Sequence, residues 1–172
     1  MSRELLIGCG NRRVKTLRWE GSAEAFDDLT TLDIDAACNP DVVFDLESAS
    51  PLPFADDAFD EVHAYEVLEH CGTQGDWRLF FRQFNEFWRV LKPGGHFAAT
   101  CPNWDSVWAW GDPGHSRVLT PQTLIFLSQA EYAAQVGRTH MTDYRAVYRG
   151  NFEVLSVQED KHSWGFLLRA LK

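Results

Sequence analysis

The stretch Leu5-Leu6-Ile7-Gly8-Cys9-Gly10-Asn11 decides how the rest of the chain is read. A run of apolar residues ends in two glycines spaced one apart. The run reads as a buried parallel strand, and the glycines as the turn that leaves it. Glycine serves where backbone adopts unusual angles or passes close to a ligand. Ligands of open α/β sheets sit beyond the carboxyl ends of the strands, so this strand and turn form a candidate nucleotide-binding loop. The same residues also suit a tight turn without a ligand. The remainder of the chain must decide.

Its size and composition set the frame. A chain of 172 residues fits one domain, 1–172, with one sizeable core. The 45% apolar and 24% charged content is that of a soluble globular protein. No stretch is apolar enough to span a membrane. The first strand starts so near Met1 that no signal peptide is expected. The four cysteines, Cys9, Cys38, Cys71 and Cys101, are scattered and lack metal-ligand spacing. They read as reduced thiols of a cytoplasmic protein, and no metal site is expected. A net charge of −9 disfavours non-specific contact with nucleic acid. The basic group Arg12, Arg13, Lys15 and Arg18 reads as a solvated loop.

Further strands follow from local pattern. A short helix is expected over 23–29 behind a Ser22 cap, then a second strand over 30–35 that ends in acid. A third short strand covers 41–45, and a fourth covers 59–65. The longest helix spans about 76–91, with Leu79, Phe80, Phe84, Phe87, Trp88 and Leu91 at helical spacing. Lys92-Pro93-Gly94-Gly95 stops it. A fifth strand covers 96–101, and an aromatic loop covers 102–119. Thr120 caps a helix that starts at Pro121 and runs to about Gln135. Two last strands, 152–158 and 164–170, are joined too closely for a crossover and form an antiparallel hairpin.

Four separated motifs now resemble a class I S-adenosylmethionine-dependent methyltransferase of the small methyltransferase-domain type. They are Ile7-Gly8-Cys9-Gly10-Asn11, Asp33 closing the second strand, the segment from Asp45-Leu46 through Leu52-Pro53-Phe54 to Phe59-Asp60-Glu61-Val62, and Glu69-His70 with Leu91-Lys92-Pro93-Gly94-Gly95. The resemblance covers residues 4–101 strongly, and the rest through its hairpin and the looser Asp112-Pro113-Gly114-His115. It implies an α/β, Rossmann-like, doubly wound sheet of about seven strands, mostly parallel, with an antiparallel C-terminal hairpin. It also implies an S-adenosyl-L-methionine cofactor and methyl transfer by in-line displacement.

The resemblance assigns cofactor contacts residue by residue. Gly8, Cys9 and Gly10 meet its methionine portion. Asp33, beside Ile34, accepts from the ribose hydroxyls, since an ionised carboxylate is acceptor-only. Asp35, two positions on, competes for that role. Asp45 and Leu46 meet the adenine, although Asp45 also suits an Asx turn. Tyr65 and Glu66 fall where the fourth strand meets the sulfonium end. The family has no fixed catalytic residue to carry over, because a base is needed only if the acceptor loses a proton during attack. His70, His115 and Tyr144 are the candidates, although a histidine at position 70 more often caps the following helix than acts as a base. Glu69, Asn103, Trp104 and Trp108 are expected to line the acceptor site. Trp104, Trp108 and Trp110 could wall off a flat acceptor, fill the core, or form a dimer face.

The chain departs from the family in two places. Family members usually carry a helix or two before the first strand, which here is expected almost at Met1, and Arg12-Arg13 stands where many relatives carry a third small residue. A lid-completing partner or homodimer is therefore a second expectation. The alternative from another class is a non-catalytic scaffold on the same fold. A nicotinamide-dependent dehydrogenase is weaker, because its fingerprint wants a third glycine where Arg13 stands. A small-molecule or sugar-like acceptor comes first and a protein side chain second. No nucleic-acid module is appended.

Overall fold

The computed structural model describes residues 2–172. Seven strands form one sheet: β1 (Arg3–Ile7), β2 (Asp28–Asp33), β3 (Val42–Val43), β4 (Phe59–Tyr65), β5 (Leu91–Pro102), β6 (Phe152–Glu159) and β7 (Ser163–Ala170). Their order is β3-β2-β1-β4-β5-β7-β6. The first five pair in parallel, while β7 runs antiparallel to both β5 and β6. This is the expected doubly wound order with a C-terminal hairpin. The chain leaves β1 toward β2 on one side and later returns to place β4 on the other, so a crevice opens between their carboxyl ends.

One face of the sheet carries the longest helix. The helix α1 (Trp77–Val90) starts where the Asp76 side chain accepts the Leu79 N–H at 3.0 Å. Its buried stripe, Phe80, Phe81, Phe84 and Phe87, packs into one cluster with Leu5, Ile7, Val62, Phe97 and Phe166. Phe87 stacks on Phe97 with ring centres 4.9 Å apart. Burying each such side chain contributes roughly 1.5–3 kcal/mol. The helix ends at Val90, as the Lys-Pro-Gly-Gly run predicts, and that run bulges out of register between β4 and β5.

The other face differs from expectation. No helix forms over 23–29, and residues 11–27 cross the sheet as irregular chain. Long-range contacts hold this segment in place. Lys15, 3% exposed, ion-pairs with Glu4 and Glu61 at 2.8 Å each. Burial pulls the Lys15 ammonium down, but the two carboxylates more than offset it, and its pKa is raised. Trp19 stacks on His63, and Leu17 fills the space that a side chain at Gly165 would need.

Two further segments differ from expectation. The loop after β5 contains a short helix, α2 (Val107–Gly111), capped by Ser106. The expected helix over 121–135 is broken. A 3-10 segment, Pro121–Leu127, gives way to α3 (Gln129–Gln135) at Ser128, which is extended and caps the second piece. Serine at an N-cap competes with helix continuation.

Candidate functional site

A cavity of about 300 Å³ opens at the carboxyl ends of β1, β2, β3 and β4. Gly8, Gly10, Asp33, Ile34, Asp45, Leu46 and Glu66 all line it, with Val67 and His70 beside them. Gly8 has φ +63, and a Cβ there would sit 2.2 Å from Val67 Cγ2. Gly10 has φ +45 and open space where its side chain would be, so its backbone is bare to the cavity. Both positions need glycine, for different reasons.

Asp33 fixes the floor. Its Oδ2 accepts from the Gly10 N–H at 2.8 Å, and its Oδ1 from the Asp35 N–H at 2.9 Å. Each oxygen keeps a second lone pair for an incoming hydroxyl. Asp35 is occupied elsewhere. Its carboxylate caps a 3-10 turn by accepting the Ala37 N–H at 2.9 Å, and it is absent from the cavity lining. Asp45 forms the Asx turn that its position allows, accepting from the Glu47 N–H at 2.8 Å, and still faces the cavity. Leu32, Phe44, Leu46 and Val67 supply apolar surface for a ring. Glu66 sits in the left-handed region at φ 53, with its N–H bonded to the Thr100 carbonyl at 3.0 Å. That turn swings the chain out of β4, so that Glu66, Val67 and His70 reach the cavity. The residues present therefore fit a nucleoside carrying a polar tail.

Some expected residues lie elsewhere. Tyr65 belongs to the opposite face of the sheet, because side chains alternate along β4. Its hydroxyl lies 2.7 Å from His63 Nδ1, and burial pushes its pKa up to about 12. The Cys9 side chain is buried and does not line the cavity. Tyr144 packs on Trp77, Phe81 and Phe126 and lines a second cavity of about 200 Å³ beside α1. Asn103 is buried and donates to the Asp160 carbonyl at 2.9 Å. Trp104, Trp108 and Trp110 are all exposed, at 54%, 58% and 69%, which removes the core reading for them.

Sequence reasoning missed one grouping. Glu69, His70 and His115 converge, with one potential ligand atom of each within 4.8 Å of the others. Glu69 is 2% exposed, and neither of its carboxylate oxygens has a hydrogen-bond partner. Burial, together with the nearby Glu66 carboxylate, pushes its pKa up to about 8. Position 115 lies 45 residues from His70, and only the aromatic loop after β5 brings it back. The Asp-Pro-Gly-His run was the one available signal.

Geometry and sequence agree on the class. Residues 5–99, more than half of the chain, match the family described as "Methyltransferase domain", and the chain belongs to that family. No curated protein matches the sequence. Solved structures share the fold at low identity. A SAM-dependent methyltransferase from Methanosarcina mazei is 16% identical, with a TM-score of 0.55 over 99% of this chain and 92% of that one. The N-methyltransferase NodS from Bradyrhizobium japonicum WM9 is 13% identical, with a TM-score of 0.54 over 99% and 86%. The 4+2 cyclase SpnF is 17% identical, with a TM-score of 0.56 over 99% and 75%. These likenesses establish the fold. No helix among the described residues is long and apolar enough to cross a membrane.

Proposed function

We propose that this chain is a single-domain S-adenosylmethionine-dependent methyltransferase acting on a small-molecule or sugar-like acceptor in the cytoplasm. One observation carries the reading: a single cavity gathers Gly8, Gly10, Asp33, Asp45, Leu46 and Glu66 from the ends of four strands. When bound, the cofactor supplies an electrophilic methyl group, and the protein supplies approach geometry and desolvation. Gly8 and Gly10 bring backbone close to its tail. Asp33 accepts from the ribose hydroxyls, and charge-assisted bonds of that kind are roughly twice as strong as neutral ones. Leu46 and Phe44 give the adenine an apolar wall, with Asp45 at its exocyclic amine. His70, on the cavity rim, and His115 beside it are the candidate bases.

The acceptor reading is supported by the acidic charge of −9 and by the exposed tryptophans after β5, which offer flat apolar surface. Four free cysteines, three of them buried, support the cytoplasmic assignment. One feature favours a second reading. Ile34, beside Asp33 on the cavity wall, is 66% exposed, so a partner chain that covered it would complete the site. In that case this chain would act as one half of an assembly or as a scaffold.

Calorimetric titration with S-adenosylhomocysteine tests the proposal. One site per chain is expected, with affinity falling about tenfold or more in Asp33→Ala, since a charged hydrogen-bond partner is worth roughly 1.5–3 kcal/mol. No binding to the wild-type chain would sink the simple enzyme reading.

A further inference from the structure

Glu69, His70 and His115 have the arrangement of a ligand set. The His70 Nδ1 lies 3.0 Å from the Gly114 carbonyl, and the His115 Nδ1 lies 2.8 Å from the Trp108 carbonyl. A carbonyl only accepts, so each ring donates from Nδ1, which leaves Nε2 as the nitrogen placed to ligate. Metal-bound histidines are held in this way, with the second ring nitrogen donating to a carbonyl or carboxylate. The two rings meet edge to face, 4.7 Å between centres. Glu69 adds a buried carboxyl whose oxygens accept no bond from any side-chain N–H or hydroxyl and which lies against the Glu66 carboxyl. Its neighbour Glu66 is another acid, so an ionised Glu69 has no cation beside it to offset its charge. Asp112 lies near as well, its Oδ2 3.9 Å from His115 Nε2.

A second cluster in the molecule shows the contrast. Glu4, Glu61 and His63 also converge, but the Lys15 ammonium sits 2.8 Å from both carboxylates and already supplies the cation. No lysine or arginine ion-pairs with Glu69 among the described residues, and the Arg117 guanidinium is taken by the Leu68 carbonyl and Gln83.

We propose that Glu69, His70 and His115 bind a divalent transition-metal cation of the Zn²⁺ class. Two imidazoles and one carboxylate form the donor set of three-ligand sites that leave coordination positions open. Calcium and magnesium prefer all-oxygen surroundings and fit it less well. The site borders the main cavity through His70. An open coordination position there would take an oxygen of the acceptor and lower the pKa of its hydroxyl. That role rests on the methyl-transfer reading, whereas cation binding does not.

The test uses the full chain without a polyhistidine tag, stripped of metal by a chelator. It is titrated with Co²⁺, followed by visible absorption, and with Zn²⁺, followed by calorimetry. One cation per chain is expected. Even loss of an outer-sphere partner of a metal costs about 10–100-fold in affinity, so His115→Ala and Glu69→Gln should each lose about tenfold or more. His140→Ala, at an exposed histidine that is not part of the cluster, should bind as the wild type does. The same samples are titrated with S-adenosylhomocysteine. A variant that keeps that binding and loses the cation has lost a ligand and kept its fold. A wild-type chain that takes up neither cation, or variants that bind as tightly as the wild type, would overturn the site. Cation uptake without S-adenosylhomocysteine binding would leave the site standing and overturn the methyl-transfer reading.

Discussion

The Asp33 carboxylate accepts the Gly10 N–H at 2.8 Å, tying the end of β2 to the glycine loop after β1. The acid expected to hold the ribose is thus also a strut of the loop beside it. Asp33→Asn keeps an acceptor oxygen for Gly10 but replaces the other with a donor. Its loss of S-adenosylhomocysteine affinity should fall between wild type and Asp33→Ala. Equal losses in the two variants would mean that only the charge matters.

Gly8 has no room for a side chain. Gly8→Ala places a methyl 2.2 Å from Val67 Cγ2 at φ +63. The left-handed backbone alone costs about 1–2 kcal/mol, and Val67 is too stiff at χ1 to swing aside. A lowered denaturant midpoint is expected, together with weakened S-adenosylhomocysteine binding. Adding Val67→Ala should restore part of the stability, because it removes the clash and leaves the backbone strain.

Lys15 holds the helix-free face of the sheet. Lys15→Met strands Glu4 and Glu61 without their cation. Breaking a buried pair from one side costs about 3–5 kcal/mol. Chemical denaturation should show a loss of that order. Adding Glu61→Gln should recover part of it, since one uncompensated charge is then removed.

Glu69 predicts a pH dependence for the metal-free protein. Its pKa rises from the ordinary 4.5 to about 8 in the fold. Below pH 4.5 the carboxyl is protonated in both folded and unfolded chains and has no effect. Between 4.5 and about 8 the unfolded chain ionises while the folded chain holds its proton, so stability falls as pH rises. Above that window the full cost is present, on the order of a few kcal/mol. Glu69→Gln carries no such group. Its melting temperature should match the wild type in acid and exceed it at high pH, with chelator present throughout. A constant difference across the range would mean that Glu69 does not titrate in this way.

Much of this was legible from short-range signals. Apolar runs marked the strands, and the phenylalanine spacing behind Asp76 marked α1. The Gly8-Cys9-Gly10 turn and Asp33 pointed to one corner of the sheet, and they do meet there. Tyr65 was misplaced, although the alternation through Glu61 and His63 already assigned it to the polar face. Other features depend on distant partners. Residues 11–27 stay irregular, against the helix expected over 23–29, and Lys15 and Trp19, reaching across to β1 and β4, hold the segment instead. Ser128 divides a helix-like run because its cap competes with continuation, and Asn151 waits to accept the Gln129 N–H at 3.0 Å. His115 meets Glu69 only through the path of the chain after β5, which local composition does not encode.

Residues 11–27 carry a consequence of their own. The segment crosses the sheet without a repeating hydrogen-bond ladder, so its order is borrowed from Lys15, Leu17 and Trp19. Such regions open at the low end of the free-energy scale, well before the core strands. The segment also continues directly from Gly10, whose backbone faces the cavity. Ligand bound at that loop therefore has a ready reporter. Amide protons across 11–27 would exchange more slowly when the cavity is filled, while those of β4 and β5, already protected by pairing on both sides, would hardly change.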